Sequence, residues 1–361
     1  MPRTLSEVPT PALVVDVTAL ERNLRRMADF FQSRACKLRP HFKAHKTPEI
    51  ARRQLKAGSC TGLTCATVFE AEIAAPLTND ILIANEVVAP DACRRVARLA
   101  KGGPITIAID SAAGLDAISA AARELRVTVG ALVDVNVGQN RCGVSPGREA
   151  VALAKRIVDA PGVELRGLMG YEGHAVGIAS RTEREAAVRR AMAHLASTAA
   201  MFVDAGLSTH IVSAGGTGSY DISSTVEGIT EIQAGSYALM DTEYAKLGLP
   251  FEHALSVLGT VISRPVPERC VADSGHKACA KDHGNPSIKG IPGASVLTLN
   301  DEHATLALPP GCSLNVGDRI ALLPSHIDPT MNLHDVVYAL EGDSVVGVWP
   351  IAARGYHVVD K

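Results

Sequence analysis

The chain has 361 residues, of which 47% are hydrophobic and 20% charged, with 36 Lys and Arg against 38 Asp and Glu for a formal net charge of −2. Against a usual domain of about 150 residues, that length implies two domains or one large α/β domain with an attachment, and the composition excludes a disordered chain. The balanced charge, with no basic block interleaved with aromatics, argues against nucleic acid as a partner, and no apolar stretch reaches the roughly 18 residues that span a bilayer.

The opening residues to Val14 lack the basic-then-apolar order of a secretion signal. The cysteines (Cys36, Cys60, Cys65, Cys93, Cys142, Cys270, Cys279 and Cys312) form no C-x-x-C pair and no zinc-finger spacing. They read as reduced thiols, so a cytoplasmic protein with no membrane association is expected.

Thr10–Val15 is strand-like and suited to pair with strands late in the chain. From Lys37 onward, short apolar runs alternate with Ala-rich amphipathic stretches. The runs Lys37–Phe42, Gly62–Cys65, Ile81–Ala84, Ile105–Ile109, Thr128–Val137, Glu164–Met169, Thr209–Ser213 and Thr230–Gln233 read as buried parallel strands. Pro48–Ala57, Val68–Pro76, Pro90–Ala100, Ala112–Leu125, Arg148–Ala160 and Thr182–Ala205 read as the helices between them. Asp110-Ser111 is a helix-opening pair and Gly206 a helix-closing glycine. Eight strand–helix units are the count of a (β/α)8 TIM-type barrel, and no G-x-G-x-x-G follows the first strand to favour a dinucleotide fold.

Beyond about Gly248 the pattern changes to short β-type runs punctuated by Pro and Gly: Thr260–Arg264, Ala294–Leu299, Ala304–Leu308, Arg319–Leu323, Asp335–Leu340 and Ser344–Trp349. The expected organisation is an α/β barrel over residues 20–248 and a C-terminal β-rich domain built from 249–361 together with 1–19.

Barrel chemistry gathers at the strand exits on the C-terminal face. The first exit, Arg39-Pro-His-Phe-Lys-Ala-His-Lys46, puts five cationic or titratable side chains in eight residues. A lysine there, if desolvated, is a candidate nucleophilic amine; on this segment alone a basic loop is the simpler reading. The fifth exit, Asp134 to Gly143, carries Arg141 among amides and glycines, suited to an anion. The sixth offers Tyr171 and His174, which packing alone also explains. The seventh, Ser213-Ala-Gly-Gly-Thr-Gly-Ser219, and the eighth, Gln233-Ala-Gly-Ser-Tyr237, both combine glycine with hydroxyls. Phosphate cups after the last two strands recur in barrels. A lysine at the first exit and a cup at the last two describe a seat for pyridoxal 5′-phosphate.

With Thr10-Pro-Ala-Leu, Arg39-Pro-His-x-Lys-x-His-Lys46, Tyr171-x-Gly-His174, Gly215-Gly-Thr217 and His326-x-Asp328 falling in order, the chain resembles the fold-type III pyridoxal-phosphate enzymes typified by alanine racemase, and within them the D-threonine aldolase and D-serine dehydratase group. The resemblance implies that Lys43 carries the cofactor, with Lys46 a nearby cation. It also implies that Arg141 faces the phenolic oxygen, Tyr171 lies near the ring, Gly216, Thr217, Gly235 and Ser236 contact the phosphate, and Tyr237 is a further cofactor-binding residue. Gln233 stands where racemases place an arginine against the pyridine nitrogen. His326 and Asp328, at i and i+2, would share one face of an extended strand and bind one divalent ion, Mn²⁺ first and Mg²⁺, Co²⁺ or Zn²⁺ next.

Relatives that dehydrate D-serine tend to carry His-x-Cys at that place, so Asp328 leans toward aldol cleavage. The expectation is a metal- and pyridoxal-phosphate-dependent lyase that cleaves D-β-hydroxy-α-amino acids of the D-threonine type to glycine and an aldehyde. Lys43 and His174 are its expected catalytic groups, and a homodimer is expected. A D-serine or 3-hydroxy-D-aspartate dehydratase is the alternative, followed by a racemase. A non-catalytic pyridoxal-phosphate carrier is the alternative from another class, disfavoured by the β-rich extension.

Overall fold

The computed structural model describes residues 2–356. The chain divides into two compact units, one containing the segment up to Arg26 with Ala44–Ile50 and Ser236–Gly355, the other Met27–Lys43 with Ala51–Gly235.

In chain order, β1 (Ala12–Asp16) leads into α1 (Val17–Gln32), β2 (Lys37–Leu38), α2 (Pro48–Ala57), β3 (Leu63–Cys65), α3 (Val68–Ala74), β4 (Ile81–Glu86), α4 (Pro90–Leu99), β5 (Ile105–Ile109) and α5 (Ala112–Leu125). There follow β6 (Val129–Asp134), α6 (Arg148–Asp159), β7 (Val163–Gly170), α7 (Arg181–Asp204), β8 (Ile211–Ala214), α8 (Tyr220–Ser223), β9 (Glu231–Ile232) and α9 (Thr242–Ala245). The remainder is β10 (Leu255–Val266), β11 (Arg269–Ala272), β12 (Ser287–Ile288), β13 (Ser295–Leu299), β14 (Ala304–Ala307), β15 (Arg319–Leu323), α10 (Ile327–Asn332), β16 (Val336–Glu341) and β17 (Ser344–Pro350).

The larger unit is an eight-stranded parallel sheet in the order β2-β9-β8-β7-β6-β5-β4-β3. Bridges Leu38↔Cys60 and His41↔Thr64 join its first and last strands, so the sheet closes on itself. This is the expected α/β barrel. Its central strands are covered on both faces, and β5 is buried at every residue, which is why they read as unbroken apolar runs. The helices start where local chemistry dictates: Ser111 Oγ accepts the Gly114 N–H at the head of α5, Thr67 Oγ1 the Glu70 N–H at α3, and Ser180 Oγ the Glu183 N–H at α7.

Alternation along the strands divides their side chains between the barrel interior and the helical layer. Leu82, Ala108, Leu132 and Met169 form one inward cluster across β4 to β7. Two residues further on, the same face presents Ala84, Asp110, Asp134 and Tyr171 at the strand exits.

The second unit contains a nine-stranded sheet with the path β13-β14-β11-β10-β1-β16-β17, in which β15 joins β10 and β12. β1 pairs antiparallel with β10 and parallel with β16, so the strand-like Thr10–Val15 segment does join the C-terminal strands. The structure adds elements that the pattern did not reveal: the long helix α1, the one-turn helices α8 and α9, and the short strands β11 and β12. It also adds α10, which begins inside the proposed metal motif.

Candidate active site

The first exit is built differently from its sequence reading. Strand β2 ends at Leu38, and Arg39 turns inward, 2% exposed, with Nε 2.8 Å from Glu231 Oε1 and Nη2 3.0 Å from Asp80 Oδ2. A Cβ on Gly62 would lie 2.6 Å from Arg39 Nη1, so only glycine leaves room for the guanidinium. Arg39 is thus an ion-paired structural group and not part of a basic loop. Lys43 sits on a 3₁₀ turn, Phe42–Ala44, and is exposed, whereas Phe42 beside it is fully buried. Burial therefore does not desolvate its amine, contrary to the sequence argument. The reason is that the strand ends at Leu38, four residues earlier than the apolar run suggested.

The fifth and sixth exits are tied together. Asn136 Oδ1 accepts the N–H groups of Gly138 and Asn140, folding the fifth exit into a tight loop. Gln139 Oε1 in that loop accepts the Gly173 N–H at 3.0 Å. The exposed His174 imidazole stands on Gly138, where a Cβ would come within 3.0 Å of Cε1. The Arg141 guanidinium lies 5.9 Å from the Tyr171 ring centroid. A Cβ on Gly216 would meet that same ring at 3.3 Å. Arg141, Tyr171, His174 and Gly216 are therefore brought to one mouth of the barrel.

A small cleft beside them is lined by Glu86, Asp134, Gln139, Arg141, Cys142 and Tyr171. Burial, followed by the neighbouring Glu86 carboxylate and then Asp110, pushes the Asp134 carboxyl up to about 8, with Arg141 acting the other way.

The seventh exit forms a compressed turn. Gly215 has φ +75° and its missing Cβ makes way for Ile232, while a Cβ on Gly218 would come within 2.1 Å of the Val176 carbonyl oxygen. Thr217 is buried within the turn. On the neighbouring strand Gln233 donates from Nε2 to Ser213 Oγ at 2.9 Å, which fixes its amide in the barrel interior. Gly235 closes this unit, and Ser236 and Tyr237, both buried, open the other on a 3₁₀ turn.

That second unit carries the proposed metal ligands. His326 is extended, but Asp328 is already in the first turn of α10, so the two do not lie along one strand as their spacing suggested. Pro329 at the head of that helix has no N–H to lose there, which favours the turn over continued strand. The two nonetheless converge, with His326 Nε2 3.8 Å from Asp328 Oδ2.

His326 Nδ1 is 2.6 Å from Asp282 Oδ2, and the His283 ring stacks on His326 at 4.1 Å. Asp282, His283 and His326 offer ligand atoms within 4.8 Å of one another. A ring nitrogen held by a carboxylate leaves the other nitrogen aimed at Asp328, the usual outer support of a histidine ligand, so this donor set fits a divalent ion. Ser325 Oγ bonded to the Gly284 carbonyl, and Asp241 accepting the Ile327 N–H, hold the segment in place.

Glu86, Asp134, Glu172 and Asp282 were not singled out from sequence. Asp134 and Glu172 lay inside the quoted exits, where period-two alternation places Asp134 on the inner face. Asp282 carried no local signal.

A closed parallel barrel with a β-rich second unit, a lysine turn at its first exit and a glycine turn at its seventh defines the alanine racemase-like class. Residues 15–243 match the alanine racemase N-terminal domain, and residues 254–340 match a putative serine dehydratase domain. The chain belongs to this family of pyridoxal-phosphate enzymes, in the group that holds the D-threonine aldolases. It is 40% identical to the D-threonine aldolase of an Arthrobacter species, over 98% of this chain and 94% of that protein. It is 35% identical to the 3-hydroxy-D-aspartate aldolase of Paracoccus denitrificans, over 97% and 93%. The crystal structure of D-threonine aldolase from Filomicrobium marinum superposes with a TM-score of 0.95 at 37% identity, covering 98% of both chains.

Proposed function

We propose that this protein is a pyridoxal-phosphate- and divalent-metal-dependent aldolase that splits D-β-hydroxy-α-amino acids of the D-threonine type into glycine and an aldehyde. The observation that carries this reading is the carboxylate of Asp328 beside His326, in a chain related over its whole length to D-threonine aldolase. Dehydrating relatives tend to place a cysteine at that position.

Lys43 would hold the cofactor through Nζ. Arg141 would support its phenolic side, and Tyr171 would lie near the ring. Gly216, Thr217, Gly235 and Ser236 would hold the phosphate end, Tyr237 would line the cofactor's seat, and Gln233 would offer the ring nitrogen a neutral amide. The cofactor supplies an electron sink for the pair left on Cα when the Cα–Cβ bond breaks. His326 and Asp328 would hold a divalent ion, Mn²⁺ by preference, whose chemistry there would be to make the β-hydroxyl more acidic. His174 takes the proton from that hydroxyl oxygen, and its exposed seat on Gly138 leaves the imidazole free to turn toward substrate.

We also infer a cytoplasmic homodimer whose barrel spans about residues 20–248. The free thiols and the family resemblance support this, and no helix among the described residues is long and apolar enough to cross a membrane. Incubation with D-threonine and D-serine tests the assignment. Acetaldehyde and glycine from D-threonine are expected, and pyruvate and ammonia from D-serine without aldol cleavage would replace it with a dehydratase.

A further inference from the structure

Beneath the glycine turn of the seventh exit lies a carboxylate with no assigned part in the reaction. Glu172 follows Tyr171 on the sixth exit and is 0% exposed. Its Oε2 accepts the Gly215 N–H at 3.2 Å. Its Oε1 accepts the Ser219 hydroxyl at 2.7 Å and the Ser223 hydroxyl at 2.5 Å. Ser219 Oγ in turn accepts the Gly216 N–H at 3.2 Å. Both ends of the turn, and Ser223 at the end of the short helix α8 that follows it, are thereby tied to a single side chain from another strand.

The chemistry of this network asks for a carboxylate. All three groups facing Glu172 are donors: the Gly215 N–H can only donate, and the Ser219 and Ser223 hydroxyls send their hydrogens to a carboxylate that can only accept. An ionised carboxylate accepts at both oxygens. A glutamine would turn its NH₂ either onto the Gly215 N–H, leaving two buried donors face to face, or onto the two hydroxyls, which would then have to rotate and lose the acceptor for their own hydrogens. The turn is glycine at the three points where Ile232, the Tyr171 ring and Val176 press on it, so its shape is set by close packing as well as by this network.

We infer that Glu172 is a positioning residue: it fixes the Gly215–Ser219 turn in the shape that receives a phosphate group, and so sets affinity for the cofactor's phosphate rather than chemistry at Lys43. This rests on the reading of that turn as the phosphate cup. It makes Tyr171-Glu172 a two-sided device, with the ring facing the cofactor side of the turn and the carboxylate facing its back.

The test titrates cofactor-stripped protein with pyridoxal 5′-phosphate and, separately, with pyridoxal, which lacks the phosphate, following the visible absorption band. The wild type should bind the phosphorylated form much more tightly. In Glu172→Gln that preference should shrink by roughly tenfold or more, the value of one mismatched buried hydrogen bond, while pyridoxal affinity stays within about twofold.

An equal loss toward both ligands would mean a general packing role, and an unchanged preference would mean no role; either overturns the inference. If Glu172→Gln does not fold, Ser223→Ala removes one donor and leaves the carboxylate. It should reduce the preference by about threefold, and an unchanged preference there also overturns the inference. A wild type that binds the two ligands equally would instead sink the phosphate-cup reading itself.

Discussion

Replacing Arg39 with leucine tests whether the first exit is held by a buried ion pair. The Arg39 side chain is 2% exposed and its Glu231 partner 4%, with Nε 2.8 and 2.9 Å from the two carboxylate oxygens. Once the guanidinium is gone, Glu231 retains the Thr61 hydroxyl at 3.4 Å as its remaining side-chain donor. Asp80 is 35% exposed and recovers solvation from water, so the cost falls on Glu231.

Breaking one side of such a buried pair costs about 3–5 kcal/mol. At about 2–4 °C per kcal/mol for a unit of this size, the melting midpoint of cofactor-free protein should fall by roughly 6–20 °C. Arg39→Leu combined with Glu231→Leu should regain more than half of it, since apolar replacement removes the orphaned charge. Calorimetric melting of the two single variants and the double variant beside the wild type decides the matter. A single variant within about 0.5 kcal/mol of wild type, or a double variant as poor as the sum of both singles, refutes the argument.

Other consequences follow from the same geometry. Lys43→Ala should abolish the visible band of the bound cofactor, and borohydride should fix the cofactor on Lys43 in the wild type; mass spectrometry placing the label on Lys46 would refute the assignment. EDTA or Asp328→Ala should lower D-threonine cleavage by roughly a thousandfold while the visible band remains, and Mn²⁺ should rescue only the wild type. Asp282→Asn should weaken Mn²⁺ binding by about 10- to 100-fold in a calorimetric titration, because His326 loses the carboxylate on Nδ1; undiminished affinity would leave Asp282 outside the site.

Asp134 carries a pH signature. Its folded-state pKa is raised to about 8 by burial, so the folded chain holds a proton that the unfolded chain releases above the ordinary carboxylate range. That contribution to stability is complete in acid and is lost as pH rises toward 8. Asp134→Asn should therefore raise the melting midpoint of cofactor-free protein at pH 8–9 and change it little near pH 4. The same gain at both values would point to packing instead.

The sequence by itself determined the barrel and its order of exits. Parallel strands covered on both faces must be apolar along their length, so Ile105–Ile109 appears in the structure with the bounds its composition implied. Pro48–Ala57 and Ala112–Leu125 likewise keep their bounds, with a proline in the first turn of one and a capping serine before the other. The short β11, with four residues, gave too little alternation to read, and α1 follows β1 with no loop between them, its cap being Asp16, the last residue of the strand, whose Oδ1 accepts the Ala19 N–H.

Tertiary structure alone decided which charges meet. Arg39 finds Glu231 across 192 residues, Glu172 finds Ser219 and Ser223 across 47 and 51, and His326 finds Asp282 across 44. No periodicity links such pairs, because strand and helix repeats describe one element's own faces. Partners on different elements are chosen by the closure of the sheet and the paths of the loops, which bring together residues that share no local pattern.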